Sequence, residues 1–99
     1  MEKKIGFIGC GNMGKAILGG LIASGQVLPG QIWVYTPSPD KVTALHEQFG
    51  INAAESAQEV AQIADIIFAA VKPGIMIKVL SEITSSLNKD SLVVSIAAG

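Results

Sequence analysis

Hydrophobic and polar positions fall into blocks of two different periods along the chain. Short runs rich in apolar and β-branched residues, each closed by turn residues such as Gly and Pro, predict buried β-strands. These runs cover residues 4–10, 31–36, 51–53, 66–71 and 92–96. Between the runs, apolar residues recur at the spacing of amphipathic helices. The pattern therefore predicts strands that alternate with helices.

Four helices are predicted in these intervals. The first is predicted over residues 12–24. It should bury a stripe of small and apolar residues, namely Met13, Ala16, Ile17, Gly20, Leu21 and Ser24. The second should be capped by Asp40, and the third should begin near Ser56, where Glu59 is placed for a capping box. The fourth should bury Met76, Val79, Leu80, Ile83 and Leu87.

This alternation predicts an α/β fold, a doubly wound parallel sheet with helices on both faces. Right-handed crossovers favour the strand order 3-2-1-4-5. The run at 66–71 is apolar at every position, which is typical of a parallel strand covered on both faces. Because no helix follows the fifth strand, we expect residues 1–99 to be one domain of a longer protein, truncated after strand five.

Composition narrows the function classes. The chain has 99 residues, of which 49% are hydrophobic and 15% charged, and its net charge is −1. That mixture suits one domain with a buried core. All the basic residues are Lys, so a nucleic-acid surface is not expected. There is no apolar run of the ~18 residues that a membrane span needs and no signal peptide, so we expect a cytoplasmic protein. A single cysteine excludes an intramolecular disulfide.

The strongest motif is G-x-G-x-x-G, formed by Gly9, Gly11 and Gly14 between the first strand and the first helix. In this context it is typical of dinucleotide binding. Gly9 permits the tight turn, Gly11 leaves room for a pyrophosphate, and Gly14 lets the helix pack close to the sheet. The first-turn N–H groups would face the phosphates. The alternative is a strand–helix turn that binds nothing.

The end of the second strand bears on the choice of cofactor. NAD-specific domains carry a carboxylate there, which binds the ribose 2′-OH. This chain has no acid before Asp40, and Thr36, Ser38 and Lys41 could donate hydrogen bonds to a 2′-phosphate. We therefore predict NADP as cofactor, with NAD also possible. In the alternative interpretation, Ser38 is a turn residue and Asp40 is a helix cap.

Residues at the ends of strands four and five complete the predicted site. Ligands of doubly wound sheets lie at the carboxyl ends of the strands, next to the switch point. Strand four ends there in Ala70, Val71, Lys72 and Pro73, and strand five ends in 97–99, which include Ala98. The simpler interpretation of Lys72 is a solvated side chain.

Other polar residues are assigned no chemistry. Cys10 is interpreted as a small residue between two glycines, and His46 as a surface or half-buried histidine without a visible partner. Glu55 and Glu59 are interpreted as a solvated helix side. The sequence shows no nucleophile–base arrangement and no cluster of metal ligands, so no catalytic residue is assigned.

Three segments together resemble one enzyme family. Residues 5–14 (IGFIGCGNMG), 70–73 (AVKP) and 95–99 (SIAAG) closely resemble the start of bacterial pyrroline-5-carboxylate reductases. The resemblance covers the whole chain. It implies a Rossmann domain that binds NAD(P) and the last step of proline biosynthesis. In that step a hydride passes from NAD(P)H to the C=N carbon of 1-pyrroline-5-carboxylate, which yields L-proline.

The resemblance also implies roles for individual residues. The pyrophosphate would be held by Ile8, Gly9, Cys10, Gly11, Asn12 and Met13. Ser38 would lie at the 2′-phosphate. The nicotinamide-ribose end would be lined by Ala70, Val71, Lys72, Pro73 and Ala98. Family members have a helical second half that supplies dimerisation, most substrate contacts and the proton-donating side, so a homo-oligomer is expected for the full-length protein.

Two other functions stay open at this point. A reductase of the β-hydroxyacid dehydrogenase type would share the glycine motif, although that group normally carries Asn or Arg where residues 36–38 stand. A non-catalytic module that senses dinucleotides and is complete as it stands would share it too. The length of the native gene product would separate this sensor from a reductase.

Overall fold

The structure is a computed structural model that describes residues 3–9, 12–36, 39–71, 73–87 and 91–95. Within those ranges the chain forms five β-strands and four α-helices. The strands are β1 (Ile5–Ile8), β2 (Ile32–Tyr35), β3 (Asn52–Ala53), β4 (Ile66–Ala69) and β5 (Leu92–Ser95). The helices are α1 (Asn12–Ala23), α2 (Pro39–Phe49), α3 (Ala57–Ile63) and α4 (Pro73–Ile83). Short 3₁₀ turns precede β2 and follow α4.

The strands form one parallel sheet in the order β3-β2-β1-β4-β5, which confirms the predicted topology. β1 lies at the centre, where Ile5 pairs with Ile32 on one side and with Ile66 on the other. All four β1 residues are buried. The chain reverses its direction of travel across the sheet between β1 and β4, and this defines the switch point.

Helices cover both faces of the sheet, as the alternation predicts. Residues of α1 and α2 pack with Phe7 and Val34 on one face, and residues of α3 and α4 pack with Ile8 and Ile67 on the other. The expectation that β4 is covered on both faces holds fully for one face only. Ile67 is completely buried, whereas Ile66 and Phe68 on the other face are only partly buried.

The predicted buried stripe of α1 is confirmed only in part. Leu18 is completely buried and Gly14 is buried, whereas Ala16 and Gly20 are exposed. Ile17 and Leu21 are partly buried and pack against the core. Leu18 packs against the sheet while Ala16 and Gly20 face solvent, because burial of apolar area orients a helix more strongly than the spacing of small residues does.

Of two helix starts predicted from the sequence, the start of α2 is wrong and the start of α3 is confirmed. α2 begins at Pro39, so Asp40 lies in its first turn and is not its cap. Proline suits a first helical position because its N–H would be unpaired there anyway. Ser56 caps α3 as predicted, and its Oγ accepts a hydrogen bond from the Glu59 backbone N–H at 3.1 Å.

Candidate functional site

The carboxyl ends of β1, β2 and β4 meet at one edge of the sheet. The Gly9 N–H donates to the Tyr35 carbonyl at 2.7 Å, and the Ala70 N–H donates to the Ile8 carbonyl at 2.9 Å. These bonds join segments that lie far apart in the sequence. They bring predicted site residues from two segments, Ile8 and Gly9 on one side and Ala70 on the other, together at the switch point.

Gly9 is required at this edge for two reasons. Its φ of +75° is a conformation that residues with a side chain rarely adopt. In addition, a Cβ at this position would lie 2.6 Å from the Ala70 carbonyl oxygen and 2.6 Å from Val71 Cγ1. The tight turn at Gly9 is predicted from the sequence. The close approach of β1 to the end of β4 is seen only in the tertiary structure.

α1 begins at Asn12, three positions after Gly9, so its N-terminal turn starts beside the same edge. The first N–H groups of a helix have no partners within the helix and favour an anion. Gly14 is buried in this first turn, in agreement with its predicted role in close packing. Cys10 and Gly11 lie outside the described residues, as do the side chains of Asn12 and Met13.

A cleft of about 430 Å³ opens beyond the ends of β2 and β3. Its polar lining includes Thr36, Thr43 and Glu55. Its remaining walls come from Tyr35, Val42, Ala53 and Ala54. Thr36 is 7% exposed, so this residue is largely enclosed in the wall of the cleft. The predicted cofactor residue Thr36 therefore lies in a real depression, next to the strand end that Gly9 contacts.

Glu55 is the cleft residue that sequence reasoning misses. The sequence pattern suggests that it shares a solvated helix side with Glu59, but α3 begins only at Ala57, so Glu55 lies on the preceding segment. The signal that could have revealed it is its position two residues after the end of the third strand, because the carboxyl ends of parallel strands share one edge. The error comes from assigning Glu55 to the helix.

Some of the remaining predicted site residues are described by the structure, and others are not. Ala70 is buried and Val71 is partly buried beside Gly9, whereas Pro73 is the first residue of α4. Ser38, Lys72 and Ala98 lie outside the described residues, so their predicted roles stay predictions. Lys41, considered as a further donor, is exposed on α2.

His46 does have a partner, contrary to expectation. Its Nδ1 lies 2.6 Å from the Ile51 carbonyl oxygen, so the ring links the end of α2 to the start of β3. His46 belongs to the last turn of α2, whereas the cleft is lined by Val42 and Thr43 near the start of that helix. We therefore assign His46 a structural role.

The described part of the chain contains neither a cluster of metal ligands nor a helix that could span a membrane. No group of three or more His, Cys, Asp or Glu side chains in those ranges is arranged to hold a metal ion. Among the helices described there, none combines the length and the apolar character needed to cross a membrane.

A parallel doubly wound sheet with a glycine turn at its switch point defines a Rossmann domain of the dinucleotide-binding class. The chain belongs to the family described as "NADP oxidoreductase coenzyme F420-dependent", whose model matches residues 4–99.

Comparison with individual proteins identifies a narrower group within this family. The chain is 98% identical over 99 residues to the pyrroline-5-carboxylate reductase of Escherichia coli, and it spans 37% of that protein's length. The solved pyrroline-5-carboxylate reductase of Coxiella burnetii superposes with a TM-score of 0.90 at 36% identity, covering 98% of this chain and 36% of that one. The Plasmodium falciparum pyrroline carboxylate reductase, solved with NADP bound, gives a TM-score of 0.83 at 35% identity, covering 98% and 34%. The resemblance to this group is confirmed.

Proposed function

We propose that this chain is the cofactor-binding part of a pyrroline-5-carboxylate reductase, the enzyme that reduces 1-pyrroline-5-carboxylate to L-proline. The observation that carries the proposal is the 98% identity to the E. coli reductase over all 99 residues. The chain spans 37% of that relative's length, and we propose that residues beyond these 99 complete the reaction.

The geometry at the switch point supports a dinucleotide site. Gly9 adopts a positive φ beside Ala70, and α1 starts directly beyond it. In the proposed site, the turn at 8–14 holds the pyrophosphate through backbone N–H groups. The segment 70–73 and Ala98 line the nicotinamide-ribose end. The bound reduced cofactor supplies a hydride to the C=N carbon of the substrate. This chain's own residues contribute binding and orientation.

Cofactor choice follows from the end of β2. Thr36 is buried in the wall of the adjacent cleft. In the proposed site, Thr36 and Ser38 donate hydrogen bonds to the 2′-phosphate of NADPH. NADH remains a second cofactor, because both dinucleotides share the pyrophosphate that the glycine turn would bind.

We assign the other functions of the enzyme to residues outside this chain. The substrate contacts, the proton supply and the surface for homo-oligomer formation belong to the remaining length of the relatives. The proposed location is the cytoplasm, and the proposed partners are small molecules and copies of the same protein, with no nucleic-acid or membrane partner.

The test compares two proteins. This chain would be joined to the remaining residues of the E. coli relative, and NADPH oxidation would be followed with 1-pyrroline-5-carboxylate as substrate. We expect turnover in the joined protein, and less than about 1% of that rate in the 99-residue chain, because hydride transfer needs both reactants held about 3–3.5 Å apart. A folded joined protein that cannot oxidise NADPH with this substrate would contradict the proposal.

A substitution in the glycine turn can test NADPH binding separately from folding. Gly11→Val adds a side chain where the backbone is proposed to meet the pyrophosphate, so it should abolish NADPH binding to the joined protein. Calorimetric titration measures the binding, and circular dichroism checks that the protein folds. Unchanged affinity in a folded variant would exclude the glycine turn from the cofactor site.

A further inference from the structure

The cleft beyond β2 and β3 contains a negatively charged group close to the predicted donors. Glu55 lines this cleft together with Thr36 and Thr43, and its side chain is exposed. The sequence contains no Arg that could neutralise a carboxylate and a phosphate together. A phosphate group that entered this cleft would therefore meet a carboxylate as well as hydroxyl donors.

Strand pairing explains why Thr36 and Glu55 come together. In the parallel register, Val34 of β2 is paired with Ala53 of β3, and the Ala54 N–H donates to the Val34 carbonyl at 2.9 Å. Each of the two cleft residues lies two positions beyond its member of this pair. Adjacent strands lie about 4.8 Å apart, so both side chains belong to one small region.

The charge of Glu55 acts in opposite ways on the two nicotinamide cofactors. A carboxylate can accept hydrogen bonds from ribose hydroxyl groups, which is the role of the acid at the end of the second strand in NAD-specific domains. The same carboxylate repels a 2′-phosphate. The Glu55 carboxylate should therefore weaken the binding of a phosphorylated ribose. It should leave the binding of an unmodified ribose unchanged or strengthen it.

We infer that Glu55, at the end of β3, sets the discrimination between NADPH and NADH by weakening the binding of the 2′-phosphate in the cleft beside Thr36. This inference rests on the proposed function, since it requires the adenosine ribose to enter this cleft. It makes Glu55 a specificity-determining residue that opposes the NADPH preference proposed for Thr36. The full protein then uses both cofactors instead of NADPH alone.

The experiment measures affinity, not turnover. NADPH and NADH would each be titrated by calorimetry into the joined protein described above, with and without Glu55→Gln. We expect the substitution to raise the affinity for NADPH by about three- to tenfold, because it removes one charge near a phosphate at partly solvated separation. The affinity for NADH should stay the same or fall. Glu55→Lys should shift the ratio further in the same direction.

Glu47→Gln is the matched control. Glu47 is exposed near the end of α2 and is not a cleft residue, and its substitution changes the net charge by the same amount. It should leave the NADPH-to-NADH affinity ratio unchanged. Raising the ionic strength from about 0.02 M to about 0.5 M should reduce the effect of Glu55→Gln, because salt screens exposed charges.

The outcomes distinguish the two proposals. If the unsubstituted joined protein binds both cofactors but neither Glu55 variant changes their affinity ratio, the inference about Glu55 is wrong and the proposed function stands. An equal change in Glu47→Gln would also overturn the inference, since it would show a general charge effect. If the folded, unsubstituted joined protein binds neither cofactor, the cofactor site assigned to this chain fails, and the inference fails with it.

Discussion

The two faces of the central strand are packed in opposite ways. Toward α1 and α2, β1 presents Phe7, which is completely buried and stacks on Phe68 with ring centroids 5.1 Å apart. Toward α3, the same strand presents Gly6, which is met by Val60 of the helix and by Ala64 directly after the helix end. At residue 7 the first face is therefore filled by large side chains. At residue 6 the second face, which also receives Ile8, is closed by the approach of a helix to a bare backbone.

The difference lies in which kind of substitution each face can tolerate. On the first face, space is occupied by side chains, so shortening one leaves a cavity. On the second face, the helix is close enough that a Cβ on Gly6 would lie 2.9 Å from Ala64 Cβ and still closer to Val60 Cγ1. There, replacing Gly6 by a larger residue should be destabilising, because overpacking displaces the helix. Residues 6 and 7 are neighbours in sequence but are under opposite constraints.

The largest effect is expected from truncation on the first face. Phe7→Ala removes a completely buried ring and its stacking partner's contact, and should lower the free energy of unfolding by about 3–5 kcal/mol. Urea denaturation followed by circular dichroism measures this loss. A loss below about 1 kcal/mol would mean that the core collapses around the gap and that this face is not governed by side-chain volume.

Enlargement of the second face should cost less but still be clearly measurable. Gly6→Ala should lower the free energy of unfolding by about 1–3 kcal/mol, because Val60 and α3 must move away from the added methyl group. Gly6→Val should cost more than Gly6→Ala. If Gly6→Ala is neutral in the same urea experiment, α3 moves freely and the asymmetry between the two faces disappears.

The short helix on the second face should also depend on its cap. α3 spans 7 residues, and Ser56 Oγ accepts a hydrogen bond from one of its first N–H groups. Ser56→Ala should lower the free energy of unfolding by about 1 kcal/mol. Ser56→Thr is the comparison variant, since it keeps a hydroxyl acceptor and should recover most of the loss. Equal losses for both substitutions would exclude the hydrogen bond as their cause.

The smallest effect has the opposite sign and serves as the control for Gly6. Gly20→Ala makes the same chemical change in the exposed middle of α1, where an added Cβ meets nothing within 4 Å. It should raise the free energy of unfolding by about 0.5–1 kcal/mol, because alanine restricts the unfolded chain and favours the helix. Destabilisation at Gly20 would show that the result at Gly6 reflects glycine replacement in general.

Features that depend on local order could be predicted from the sequence alone. The alternating periods predict the five strands and their order, and Ser56 together with Glu59 predicts the start of α3. The glycine motif places a turn where Gly9 adopts a positive φ. These features are accessible because periodicity, capping and turn chemistry act over a few neighbouring residues. The family resemblance is carried by the same short segments.

Features that depend on contacts between distant segments were decided by the tertiary structure. The sequence predicts a buried stripe in α1 that includes Ala16 and Gly20, but packing on the sheet buries Leu18 instead. The sequence does not show that Gly6 faces α3, nor that Glu55 shares a cleft with Thr36. The physical reason is that periodicity says which residues share one side of an element. The distance and rotation between elements are set by the volumes of all the side chains packed between them.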